Sequence, residues 1–160
     1  MSMRARRKVF LNDGFSLIEL MIAAAIVAIL ASIAIPSYMS YTHKANRTDA
    51  TRTMTADAQG LERCYSQYFT YNLDGNGNPV PCPIAAGASA SPQGYYTITI
   101  NIVNPAPPAT PASYTITAVP VNSPQTSDSA CQSFSLNSSG TQLAADSSGT
   151  ANTQVCWGST

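Results

Sequence analysis

Between Phe15 and Ile35 the chain runs for 21 residues with a single charge, Glu19, and no other stretch of its 160 residues limits the fold as strongly. As a helix this run spans roughly 30 Å, the thickness of a bilayer's hydrocarbon layer. Arg4, Arg6, Arg7 and Lys8 precede it, half of the chain's basic residues, and the positive-inside rule keeps them cytoplasmic while everything beyond Pro36 is carried outside the inner membrane. A removable secretory signal also has a basic start and an apolar stretch, but this stretch is longer than usual and lacks a sharp small-residue cleavage site. Glu19 opposes that reading too, because an acid costs about 2.5–3.5 kcal/mol at mid-membrane depth, less near an end, and a discarded segment has no use for it. A plain membrane anchor explains the hydropathy but leaves the order of residues around Gly14 as coincidence.

That order is Asp13-Gly14-Phe15-Ser16-Leu17-Ile18-Glu19-Leu20-Met21-Ile22. It resembles the processing site of type IV prepilins, and the resemblance covers the first third of the chain closely and the rest by architecture. It implies that a membrane peptidase cuts after Gly14 and methylates the new terminus, Phe15. Glu19 then becomes the family's acidic residue at the fifth mature position, and Pro36 falls where the family has a helix-bending proline. The chain divides accordingly into a leader at 1–14, a transmembrane and polymerisation helix at 15–35, and a pilin head at 36–160 that includes the second half of the helix.

Physical chemistry gives those residue types a reason. A glycine lets a peptide backbone approach an enzyme closely. A carboxylate in the first helical turns is favoured by the helix dipole. Buried in a filament, Glu19 needs a cation, and the amine of Phe15 on a neighbouring subunit is the candidate, a contact the family resemblance also implies. Ala23, Ala24, Ala25, Ala28 and Ala31 keep the helix slim enough for close packing against copies of itself, while Ile18, Ile22, Ile26, Ile29 and Ile33 supply dispersion contacts.

Beyond the run, the charges thin out. Without residues 1–14 the chain keeps four basic and seven acidic side chains, a net −3, and its bases are confined to Lys44, Arg47, Arg52 and Arg63, with His43 beside them. From Cys64 onward only Asp74, Asp128 and Asp146 are charged, so the head carries no strong nucleic-acid signal. Cys64, Cys82, Cys131 and Cys156 lack the spacing of a zinc site or a redox CxxC and suit an oxidising compartment. Four thiols allow three pairings, and the shortest loop closures favour Cys64 with Cys82 and Cys131 with Cys156. A clamp of the second kind resembles the C-terminal disulfide loop of pilins.

Helical periodicity continues past Pro36, with Ala50, Met54, Ala58, Leu61, Tyr65 and Tyr68 on one face and Asp49, Arg52, Asp57 and Arg63 elsewhere. A helix from Phe15 to about Tyr68 is on the order of 80 Å long, with a bend at Pro36 and slackening near Gly60. So small a head cannot bury all of it, and its first half must find cover in lipid or in other subunits. The run Asp74-Gly75-Asn76-Gly77-Asn78-Pro79 reads as a tight turn; as a calcium loop it has Pro79 where a Gly is needed and Ala85 where a bidentate Glu is needed. Alternating residues then give strands at Tyr96 to Ile102, Tyr114 to Ala118, Gln132 to Leu136 and Thr141 to Ala145.

The expected fold is therefore α+β, a pilin fold with its long helix on a four-stranded antiparallel sheet. No nucleophile and base, carboxylate pair or metal cluster is evident in the head, so no enzyme, cofactor or metal is expected. The glycosylation pattern occurs at Asn46-Arg47-Thr48 and Asn137-Ser138-Ser139, but chains this rich in Asn and Ser produce it by chance. The expected function is a structural filament subunit serving adhesion, twitching motility or DNA uptake. Its partners are other pilin subunits, the prepilin peptidase and the inner-membrane assembly machinery. A pseudopilin of type II secretion and a DNA-receptor pilin are the alternatives.

Overall fold

The computed structural model describes residues 15–73, 76–84, 86–104 and 111–158, and these divide after Met39 into two compact units. Helix α1 covers Leu17–Tyr68 and contains Pro36. In the first unit it turns apolar side chains outward on every side, whereas from Ser40 onward it is amphipathic. There Ala50, Met54 and Leu61 are buried in one apolar cluster with the sheet, and Cys64 is buried at its disulfide with Cys82. Threonines suit this helix because their hydroxyls bond inward: Thr53 donates to the Asp49 carbonyl and Thr55 to the Thr51 carbonyl, both at 2.7 Å.

The sheet is an antiparallel meander in the order β1-β2-β3-β4-β5, formed by Gly87–Ala90, Tyr96–Val103, Ser113–Pro120, Ser133–Asn137 and Gln142–Ala145. Register places Ile100 opposite Ile116 and Ile116 opposite Leu136, so one face presents Tyr96, Ile98, Ile100, Ile116 and Phe134 to the core. The other face carries hydroxyls, with Thr99 opposite Thr117 and Thr117 opposite Ser135. Five strands are present where four were expected. β1 escapes a pattern search because Gly-Ala-Ser-Ala has no apolar alternation: all four residues are exposed, and the strand pairs with β2 through its backbone.

Three details of α1 differ from expectation. The helix does not slacken at Gly60. A β-carbon there would lie 2.5 Å from Ile84 Cγ1, so the glycine exists to let the segment after Cys82 pass close over the helix. Tyr65 and Tyr68 remain 36% and 40% exposed, and the buried seam closes instead at Cys64, which is bonded to Cys82. Asp49 does not face solvent; it is buried, accepting hydrogen bonds from the Ser91 hydroxyl and the Gln93 N–H.

The strand after β4 closes through a turn that the chain uses twice. In Asn137-Ser138-Ser139-Gly140-Thr141 the Asn137 Oδ1 accepts from the N–H of Ser139 at 3.1 Å and of Thr141 at 2.9 Å. In Asp146-Ser147-Ser148-Gly149-Thr150 the Asp146 Oδ1 accepts from Ser148 and Thr150 at 2.8 and 2.9 Å. Gly140 and Gly149 hold φ of 77° and 82°, a region that L-residues adopt reluctantly. Earlier, Leu73 bridges Pro79 and the Val80 N–H donates to the Asn72 carbonyl at 2.9 Å; Asp74 and Gly75, which open the expected turn, and Ala85 lie outside the described residues.

Candidate functional site

Of the residues expected to serve processing and assembly, Phe15 and Glu19 lie among the described residues of the first unit. α1 begins at Leu17 with Glu19 in its first turn, four residues after Phe15, while Gly14 lies outside the described residues. The large apolar side chains from Phe15 to Ile35 are 53–84% exposed. Fully burying each such side chain is worth roughly 1.5–3 kcal/mol. The 12 of them therefore represent on the order of 20 kcal/mol or more of burial that this unit does not obtain by itself. The helix is long and apolar enough to cross a membrane, with a mean hydropathy of 2.6 over its most apolar window.

The second unit contains a polar constellation that the sequence did not announce. Asp128 is buried, because Arg47 reaches it from α1: Nε donates to Oδ2 at 2.7 Å and Nη2 to Oδ1 at 2.8 Å. The remaining Nη1 donates to the Val155 carbonyl at 3.3 Å, so one guanidinium ties the helix to two separate C-terminal segments. No local signal could have paired residues 81 positions apart.

His43, Ser127 and Asp128 come together in the order of a nucleophilic triad, and their bonding shows what they do instead. His43 Nε2 is 3.4 Å from Ser127 Oγ, and its Nδ1 is 4.0 Å from Asp128 Oδ1. Both carboxylate oxygens are committed to Arg47, and the Ser127 hydroxyl donates to the Pro124 carbonyl at 2.6 Å. The arrangement fastens a loop to a helix, and the Ser127 proton is directed to a backbone carbonyl and not to the imidazole.

The four cysteines form the bonds Cys64–Cys82 and Cys131–Cys156. The second holds the short helix α2, Thr153–Trp157, beside β5. Trp157 packs edge-on against Phe134 with ring centres 6.0 Å apart, and its indole N–H donates to the Leu143 carbonyl at 2.9 Å. At the far end of α1 the aromatic rings interlock: Tyr65 stacks on Tyr71 at 4.9 Å, and Tyr71 meets Tyr114 edge-on at 5.0 Å. Burial, and then the neighbouring Glu62 carboxylate, pushes the Tyr71 phenol up to about 12 and raises Tyr114 further.

A slender apolar helix with one acid in its opening turn, continued by a disulfide-bonded head of helix on antiparallel sheet, defines a type IV pilin-like subunit. Known proteins agree. The family described as "Type IV minor pilin ComP, DNA uptake sequence receptor" has a model that matches residues 36–135, and the "Prokaryotic N-terminal methylation motif" matches residues 11–35. The chain belongs to that type IV pilin family. Among curated relatives, "Prepilin peptidase-dependent protein D" of Escherichia coli is 39% identical over 71 residues, covering 44% of this chain and 49% of that protein. A "Fimbrial protein" of Neisseria meningitidis serogroup B is 34% identical over 94 residues, covering 59% of this chain and 52% of its own length. A serogroup A counterpart is 34% identical over 103 residues, with coverages of 64% and 57%. The chain spans about half the length of the curated relatives it matches.

Proposed function

We propose that this chain is a structural subunit of a type IV pilus. A prepilin peptidase removes residues 1–14 after Gly14 and methylates Phe15. The subunit waits in the inner membrane on its apolar helix and is then drawn into an extracellular fibre, the helix bending at Pro36 to reach its place. The reading rests on the apolar surface from Phe15 to Ile35, exposed on all sides around one carboxylate, which is an arrangement suited to packing against further copies of itself. Inside such a bundle the Glu19 carboxylate pairs with the Phe15 amine of the next subunit, which removes the expense of a lone buried charge. Glu19→Ala leaves cleavage intact and abolishes recovery of the subunit in sheared fibres; normal incorporation of that variant contradicts the pairing.

A second reading, that the subunit also captures DNA, is favoured by one observation, the match of most of the head to a family described as a DNA uptake sequence receptor. Binding of a labelled duplex by the mature chain, weakening as salt rises, is the measurement that supports it.

A further inference from the structure

We infer that the outward ridge of α1 from Lys44 to Arg63, together with the groove beside Trp157, is where this subunit grips the phosphates of duplex DNA; the inference rests on the DNA-receptor reading above. Lys44, Thr48, Arg52, Thr55, Gln59 and Arg63 follow one another at spacings of three and four residues, so they form one continuous row on the helix surface. The row is about 28 Å long, and every member is exposed. Among the described residues none of its three cations has an ion pair.

None of the acids on or near this helix is a member of the row. Asp49 is buried under Ser91 and Gln93, and Asp128 is occupied by Arg47. Glu62 accepts from the Tyr71 hydroxyl at 3.3 Å, and Asp57 lines a separate hollow with Pro83 and Ile84. A subunit with net −3 thereby keeps an exposed row whose charged members are all cations. Two hollows of about 400 and 270 Å³ flank the row. The first is lined by Arg52 and Gln59 with Gln142 across from them, the second by Lys44 and Thr48 opposite Val155, and Trp157 borders both. The hydroxyls of Thr48 and Thr55 donate to helix carbonyls, so the row between the cations is low and uncharged, a shelf on which a phosphate backbone can lie.

Such a surface positions DNA and does not read its bases. Three phosphate contacts give a slope of log affinity against log salt of about −2.7, or roughly a 40-fold loss between 50 and 200 mM salt. The test uses the full mature chain in a neutral detergent, with a fluorescein-labelled duplex followed by anisotropy across that range. Trp157, the chain's single tryptophan, reports from inside the groove, and its emission changes as DNA binds. The combined variant Lys44→Gln, Arg52→Gln, Arg63→Gln flattens the slope to near zero and silences the Trp157 response. Ala88→Glu, Asn101→Glu, Val119→Glu places the same −3 change at exposed positions on the opposite sheet face, and it leaves the slope within about one contact of the native value. Binding by the native chain that the ridge variant does not reduce, or that both variants reduce equally, overturns the site while leaving the receptor reading intact. Failure of the native chain to bind at low salt overturns the receptor reading and the site with it.

Discussion

Replacing Asp128 by alanine isolates the most heavily committed ion pair in the head. The change leaves the Arg47 guanidinium only 7% exposed, with its one remaining partner the Val155 carbonyl at 3.3 Å. Removing one member of a buried pair costs about 3–5 kcal/mol, because the surviving charge is neither hydrated nor compensated. For a head of this size that corresponds to a melting temperature lower by roughly 10–20 °C. Thermal unfolding of the mature chain in detergent, followed by Trp157 emission, measures it directly, since Trp157 packs on Phe134 and lies beside Cys156. The double variant Arg47→Met, Asp128→Leu recovers most of the loss, as apolar replacements for buried ion pairs commonly do. A loss below about 1 kcal/mol in Asp128→Ala, the value of a solvated surface pair, refutes the reasoning.

Other perturbations have equally definite outcomes. Gly60→Ala gains about 1 kcal/mol of helix propensity and meets Ile84 at 2.5 Å, an overpacking worth roughly 1–3 kcal/mol, so stability falls in denaturant titration. The same change made beside Ile84→Ala raises stability instead, and an unchanged sign contradicts the close approach. Replacing Cys131 and Cys156 by serine opens a link between residues 25 apart and costs about 3 kcal/mol, read as an earlier denaturant midpoint with a steeper slope, since the unlinked denatured chain exposes more surface. At alkaline pH, Tyr71 and Tyr96 stay protonated because burial raises both phenols to about 12 from an ordinary 10.0. Their raised values mean the associated stability is complete below about pH 10 and is lost as the pH climbs through the folded values. Tyrosinate absorbance from these rings therefore rises together with unfolding, and their ionisation near pH 10 in an intact fold contradicts the assignment.

The first unit was legible because its information is local. Its helix follows from 21 consecutive residues, Phe15 to Ile35, that carry a single charge. β2 to β5 were legible for the same reason, since Tyr96-Thr97-Ile98-Thr99 and its counterparts alternate with the pleat. β1 was not, because its Gly and Ala carry no alternating signal and its position follows from pairing with β2. Nothing local marked Arg47, Asp49 or Asp128 for burial; what buries them are partners 81 and 42 residues away. The repeated turn is an intermediate case. Asn-Ser-Ser-Gly-Thr and Asp-Ser-Ser-Gly-Thr stand nine residues apart in plain view, but the shared bond from Oδ1 to the second and fourth following N–H groups is visible only in three dimensions. The exposed ridge from Lys44 to Arg63 was visible as a set of bases on one helix, and the lack of an ion pair to Lys44, Arg52 or Arg63 among the described residues became apparent only in three dimensions.

The account stands or falls on the mature N-terminus within an assembled fibre. Mass spectrometry of the subunit recovered from filaments sheared off the cell surface is predicted to find a chain beginning at N-methylated Phe15 with Glu19 and the whole apolar helix present. A chain that begins near Ile35, or one recovered solely from membranes with Met1 intact, contradicts it.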